Sequence, residues 1–150
     1  VLIPRPETEE LFEKAIDWSE VLTALAQPLE RQQIITTDYI KALKKEMPEL
    51  PAYVVLRHKL ALPHTVAEAG AIGVGISLGI VKKGIVTEDG RKIHTVILLG
   101  SNDKEEHLDL IFEMMSLAGS EQLAKIEQAQ TKEEIREALI EFNDEYWRAN

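Results

Sequence analysis

The chain has 150 residues and a mass of 16.9 kDa, is 45% hydrophobic, and carries 26 acidic against 17 basic side chains, for a formal net charge of −9. That is enough apolar material for one domain with a full core, and the acidic field repels polyphosphate backbones and anionic membrane surfaces, so nucleic acid is not an expected direct partner. With no cysteine, disulfides, thiolate metal sites and a cysteine nucleophile are excluded together, which leaves His, Ser, Thr, Lys and carboxylate as nucleophiles and agrees with a cytoplasmic location.

No apolar run reaches the roughly 18 to 20 residues that a bilayer crossing needs. Residues 1–10 also lack the basic and apolar regions of a signal peptide, so no direct membrane insertion is expected. The chain opens on Val1 and the proline-flanked Leu2-Ile3-Pro4-Arg5-Pro6, which reads as a segment of something longer. Residues 1–14 are expected to be a linker or N-terminal extension, and 15–150 the domain.

Within 7–30, Leu11, Ile16, Val21, Leu22, Leu25 and Leu29 recur at helical spacing, interrupted at Asp17-Trp18-Ser19, where Asp17 or Ser19 can cap a new helix. Two helical pieces are expected there. A further helix is expected over 37–47, with Thr36 or Thr37 as N-cap, Tyr39, Ile40 and Leu43 on one face, and Pro48 as the stop. Tyr53-Val54-Val55-Leu56 is β-branched and aromatic enough for a strand. In 72–81 glycine and serine alternate with aliphatics, which predicts a strand with Ile72, Val74, Ile76, Leu78 and Ile80 on one face and a small face that packs against something bulky.

Glu88-Asp89-Gly90 signals a hairpin turn, and 93–99 is a strongly apolar strand ending at Gly100. Behind the helix caps Ser101, Asn102 and Asp103, residues 105–118 predict a core helix on Leu108, Ile111, Phe112, Met115 and Leu117. Ser120 opens a short helix to Gln128, and Thr131-Lys132-Glu133-Glu134 is a capping box for the last helix, on Ile135, Leu139 and Phe142. This order of elements predicts the α/β class, a mixed β-sheet flanked by helices on both faces.

Of the four histidines, His64 follows Pro63 in a loop flanked by Leu60-Ala61-Leu62, so the backbone before it is stiff. An imidazole with its ordinary pKa near 6.5 is largely neutral at cell pH and offers a lone pair for attack on phosphorus. On physics alone a hydrogen-bonded loop histidine is the more ordinary reading. His107 stands at the start of the helix after the 93–99 strand, where backbone N–H groups and the helix dipole favour an anion such as a phosphoryl group; an exposed polar residue of the first turn is the ordinary alternative. His94 reads as a packed strand residue and His58 as solvated. No close-set histidine pair and no cysteine are present, so no metal and no cofactor are expected. The glycines of 70–79 match neither the dinucleotide nor the phosphate-binding loop spacing.

Leu60-Ala61-Leu62-Pro63-His64 resembles the Ile-Ala-x-Pro-His motif of mannitol/fructose-type enzyme IIA domains of the bacterial sugar phosphotransferase system. The resemblance extends over roughly 15–142, through Asp17-Trp18, Pro28-Leu29, Ile35-Thr36, Tyr39-Ile40, Tyr53-Val54-Val55, Asn102-Asp103 and His107-Leu108. His64-Thr65-Val66-Ala67-Glu68-Ala69-Gly70 is similar to the His-Ala-x-Pro-Glu-x-Gly loop of the ascorbate-type branch, matching at Glu68 and Gly70. The resemblance implies the mannitol-type IIA fold and phosphotransferase activity through a phosphohistidine. It implies His64 as acceptor from phospho-HPr, His107 stabilising the phosphorylated state, and onward transfer to a cysteine of an enzyme IIB. Two readings stand: a transport component, or a IIA-like regulatory domain of a multidomain transcriptional regulator controlled by phosphorylation of His64, fused to a regulator or to other phosphotransferase-system domains. Two departures are notable. The helix over 39–46 offers Lys45 where mannitol-specific members carry an arginine, and Arg57-His58-Lys59 stands in place of a neutral Pro-Gly, which would add positive charge beside His64.

Overall fold

The computed structural model describes residues 9–149; the proline-flanked opening lies outside them. Among the described residues five strands, β1 (Glu9–Phe12), β2 (Val55–Leu56), β3 (Leu60–Ala61), β4 (Val74–Val86) and β5 (Lys92–Ser101), form one sheet in the order β1-β4-β5-β3-β2. β1 runs parallel to β4 and β3 parallel to β5, while β4–β5 and β2–β3 are antiparallel. The sheet is therefore mixed. Helices α1 (Trp18–Arg31) and α2 (Thr37–Glu46) cover one face, and α3 (Lys104–Ala118), α4 (Glu121–Gln128) and α5 (Lys132–Ala149) the other. This is the α/β arrangement expected from the sequence.

The sheet separates two cores. Val21, Leu22, Leu25, Leu29, Tyr39 and Leu43 pack with Val81, Val96 and Leu98 on one side. Ile76, Leu78, Ile80, Ile97 and Leu99 pack with Leu110, Met114, Leu117, Ile126 and Leu139 on the other. The alternation in β4 decides which helix sits where. Ile76, Leu78 and Ile80 face the α3–α5 layer, and the intervening Gly75 and Gly79 let the other layer approach the backbone. A Cβ built on Gly79 would lie 2.9 Å from Phe12 Cε2 and 3.0 Å from Leu25 Cδ2, and one on Gly75 would lie 2.5 Å from Ile34 Cδ1. The small face thus receives bulky side chains, as its composition predicts.

Four expectations are corrected. The first helical piece, where it is described, is strand β1. Glu9–Phe12 pairs with Leu78–Val81, because cross-strand pairing and burial against a helix layer override a weak local helical period. Tyr53–Leu56 is a 3-10 turn over Ala52–Val54 followed by the two-residue β2; its chain turns after two paired residues, at Arg57 and His58, both at positive φ. Ile72 lies outside β4 and is 55% exposed, since Ala71 makes an isolated bridge to Ile35 before the strand begins. Leu108, Phe112 and Met115, expected on the core face of α3, are exposed, and the helix buries Leu110 and Met114 beside Leu117 instead.

The caps follow the residue types. Asp17 accepts from the Glu20 amide (2.8 Å), and Asp103 from the Glu106 amide (3.0 Å). Thr131 caps α5 through the Glu134 amide at 3.2 Å, but the Glu134 carboxylate reaches back to the Gln130 amide, so the box closes one residue earlier than the simple motif. Thr36 stands at the N-cap of α2, yet its hydroxyl donates to the Gly70 carbonyl at 2.9 Å and ties the loop before β4 to this helix.

Gly79→Val is expected to destabilise the fold by roughly 1–3 kcal/mol, because β1 and α1 must move off the sheet together to admit the side chain. Urea unfolding with an unchanged slope and a lowered midpoint checks this.

Candidate functional site

His64 and His107 come from different segments and meet at the end of the sheet. Their ring centroids are 5.2 Å apart, edge to face at 62°. His64 lies three residues beyond β3, and the carbonyl of Pro63 before it accepts from the Leu99 amide at 3.1 Å. The chain runs on from Leu99 through Ser101 to Asp103, where α3 starts. The Ser101 hydroxyl donates to the Asp103 carbonyl at 2.8 Å and accepts from the Asp103 amide at 3.2 Å. His107 N–H donates to that same Asp103 carbonyl at 3.0 Å in the first turn. Both imidazoles are thereby referenced to the C-terminal end of β5.

The His64 ring is oriented by one hydrogen bond. Nδ1 lies 2.7 Å from the Leu62 carbonyl oxygen. A carbonyl only accepts, so Nδ1 carries the proton, and in the neutral ring Nε2 holds the lone pair. Leu62 is in turn fixed through its amide, which donates to the Val54 carbonyl at 2.8 Å. Burial and the nearby His64 push the His107 pKa below its ordinary value of 6.5, which favours an uncharged imidazole able to donate one hydrogen bond.

The pair opens into a cleft of about 650 Å³, within the usual range of ligand pockets. Besides the histidines it is lined by Glu46, Tyr53, Glu68, Asn102 and Lys104, with Val66 and Leu108 on its rim. Lys104, with the helix N-terminus it belongs to, is the positive element of this lining. Glu46 accepts from the Thr65 hydroxyl at 2.8 Å and so braces the residue after His64.

Two charge expectations are corrected here. Glu46, not Lys45, is the charged residue that α2 turns toward the cleft. Arg57, His58 and Lys59 do not line the cleft, because the β2–β3 turn sits at the opposite end of β3 from His64. The Arg57 guanidinium packs against Gly119 at the C-terminus of α3, and His58 contacts Arg91. His94 is a strand residue whose Nδ1 lies 3.0 Å from the Val81 carbonyl, as its sequence context suggests.

Sequence reasoning missed Glu46, Ser101 and a role for Tyr39. The Tyr39 hydroxyl, fully buried, donates to the Leu99 carbonyl at 2.7 Å and accepts from the Thr65 amide at 3.1 Å. The sequence places Tyr39 on an apolar helix face, and nothing in that pattern distinguishes a polar anchor from a core aromatic.

His107 is expected to titrate below 6.5 by NMR, with a smaller downward shift in His64→Ala, where one of its two causes is gone. A base whose folded-state pKa is lowered contributes stability that is present above its unfolded value and is lost as the pH falls from 6.5 toward the folded-state pKa.

Comparison with known proteins places this site in context. Residues 6–142 match the family model described as phosphoenolpyruvate-dependent sugar phosphotransferase system, EIIA 2. The mannitol-specific cryptic phosphotransferase enzyme IIA component of Escherichia coli K12 is 27% identical over 114 residues, covering 75% of this chain and 78% of that protein. The fold resembles the solution structure of the E. coli mannitol-specific cryptic phosphotransferase enzyme IIA CmtB, with a TM-score of 0.77 and 24% identity over 91% of this chain and 93% of that one. It also resembles a chain of the E. coli complex of enzyme IIAMTL with phosphorylated enzyme IIBMTL, with a TM-score of 0.77 and 19% identity, covering 93% and 99%. The β-sheet, its two helix layers and a match across nearly the whole described chain make this protein a member of the EIIA 2 family of the phosphoenolpyruvate-dependent sugar phosphotransferase system.

Proposed function

We propose that the chain is a phosphohistidine carrier that takes a phosphoryl group from phospho-HPr on Nε2 of His64 and passes it to an enzyme IIB. The observation that carries this reading is the His64–His107 pair, with His64 Nδ1–H held on the Leu62 carbonyl and Nε2 left as the nucleophile. In the first transfer the donor's N–P bond breaks, its electron pair returning to the donor imidazole, while the Nε2 lone pair forms the new N–P bond. The proton stays on Nδ1, donated in a hydrogen bond to the Leu62 carbonyl, so no base is needed to activate the ring. In the second transfer a thiolate of IIB attacks phosphorus, and the N–P pair returns to Nε2.

A loose phosphoryl transfer state asks mainly for in-line positioning and for donors around the equatorial oxygens. His107 supplies a ring N–H, Lys104 an ammonium, and the α3 N-terminus its dipole. The low pKa of His107 suits a carrier. A neutral donor stabilises the phosphoryl group without the full charge that would trap it, and onward transfer stays favourable.

The surroundings favour a protein partner over a small molecule. Tyr53 (72% exposed), Val66 and Leu108 project at the cleft, and Phe112 (62%) and Met115 continue from Leu108 along one face of α3 at positions i, i+4 and i+7. Exposed apolar surface concentrated around a polar centre marks a docking site. The acidic groups beside it, among them Glu68, Glu105 and Asp109, suit a basic partner surface.

With phosphoenolpyruvate, enzyme I and HPr, the wild type is expected to gain one phosphoryl group by intact mass at mildly alkaline pH, and His64→Ala none. Labelling of the mutant would overturn His64 as acceptor. His107→Ala is expected to accept label but to pass it on about 10²-fold more slowly, the scale of losing one preorganised oxyanion donor; an unchanged rate would make His107 structural only.

A further inference from the structure

We propose that Tyr39 is a positioning residue for His64, its hydroxyl replacing one rung of the β3–β5 ladder and holding the acceptor loop at a set distance from the strand that leads to His107. The inference rests on the phosphocarrier reading above and concerns how the acceptor is held.

The register is the starting point. Leu60 pairs with Thr95 and Ala61 with Val96 in a parallel ladder. Carried forward, this register sets His64 opposite Leu99. In a parallel pair the residue opposite gives its N–H to the carbonyl before its partner and takes the N–H of the residue after it. The first of these bonds is present: Leu99 N–H donates to the Pro63 carbonyl at 3.1 Å. The second, Thr65 N–H to the Leu99 carbonyl, is interrupted by a phenol. Thr65 N–H donates to the Tyr39 hydroxyl oxygen at 3.1 Å, and that hydroxyl donates to the Leu99 carbonyl at 2.7 Å.

The ladder therefore stays hydrogen-bonded on both sides of His64 but is widened on one side by the breadth of an oxygen atom. Without the hydroxyl the two backbone groups would either close on each other, drawing the loop onto β5, or leave the buried Leu99 carbonyl without this partner, which the interior disfavours. α2 secures the same residue twice, because Glu46, two turns after Tyr39, accepts from the Thr65 hydroxyl. Burial raises the Tyr39 pKa to about 12, so the hydroxyl keeps the proton that the Leu99 carbonyl receives.

Tyr39→Phe removes the bridge and the 3.4 Å contact of the same hydroxyl with the Thr65 carbonyl, and keeps the ring. Single-turnover labelling with phospho-HPr is expected to show the limiting rate lowered about tenfold, with half-saturation changed less than twofold, because docking is untouched and the geometry of the acceptor is not. Amide exchange at Thr65 is expected to quicken at least tenfold, with exchange at Val81, in the middle of β4, unchanged. A limiting rate within twofold of wild type overturns the inference. So does a fall in rate accompanied by equal loosening at Val81, which would assign the effect to global stability. Failure of the wild type itself to label on His64 would instead overturn the phosphocarrier reading and this inference with it, and that result is visible before any variant is made.

Discussion

The parallel pairing of β3 with the middle of β5 is the constraint on which the site depends. It spans two paired residues, yet its register puts His64 beside Leu99. From Leu99 the chain needs four residues to reach Asp103, which caps α3 and accepts from His107 N–H. Two imidazoles more than forty positions apart in sequence are thus fixed to one strand end. A slip of one residue would carry His64 to the other face of the ladder, and the alternation of the strand pair forbids it, since the core residues would move with it.

Around that constraint the molecule divides its tasks between layers. The α3–α5 side supplies His107, Lys104 and the helix N-terminus. The α1–α2 side supplies Tyr39 and Glu46, which hold the loop that carries His64. Rigidity comes from the sheet, whose small-residue face in β4 admits Phe12, Leu25 and Ile34 into close contact. The phosphocarrier chemistry proposed for the chain would profit from such a frame. That chemistry is mostly positioning, and misplacement by an ångström at the reacting nitrogen is costly in rate.

The electrostatics are arranged by withdrawal of charge more than by addition. Arg57 is spent on the C-terminus of α3, where a cation meets the negative end of the helix dipole, and it lies outside the cleft. Protonation of His107 is disfavoured by burial and by its neighbour His64. The cleft carries Lys104 against Glu46, Glu68 and Asp103, so a doubly negative phosphoryl group would meet a modest local field.

The sequence by itself determined the class of fold, the helices α1 to α5 with the capping side chains Asp17, Asp103 and Thr131, the β4–β5 hairpin at Gly90, and the choice of His64 and His107 as candidates. Each of these rests on a short-range rule: a helical or strand period, a capping side chain, a turn glycine, or a motif contiguous in the chain. The tertiary structure alone decided that Glu9–Phe12 is a strand, because its partners lie some seventy residues away in β4 and its local pattern is helical. It alone decided that the positive turn at Arg57 faces away from His64 and that Glu46 faces toward it, since side-chain direction at an element's end follows from packing. Tyr39 is the sharpest case. An aromatic on a helix face reads as core in any sequence, and only the register of β3 against β5 leaves a backbone amide and a carbonyl one hydroxyl apart for it to join.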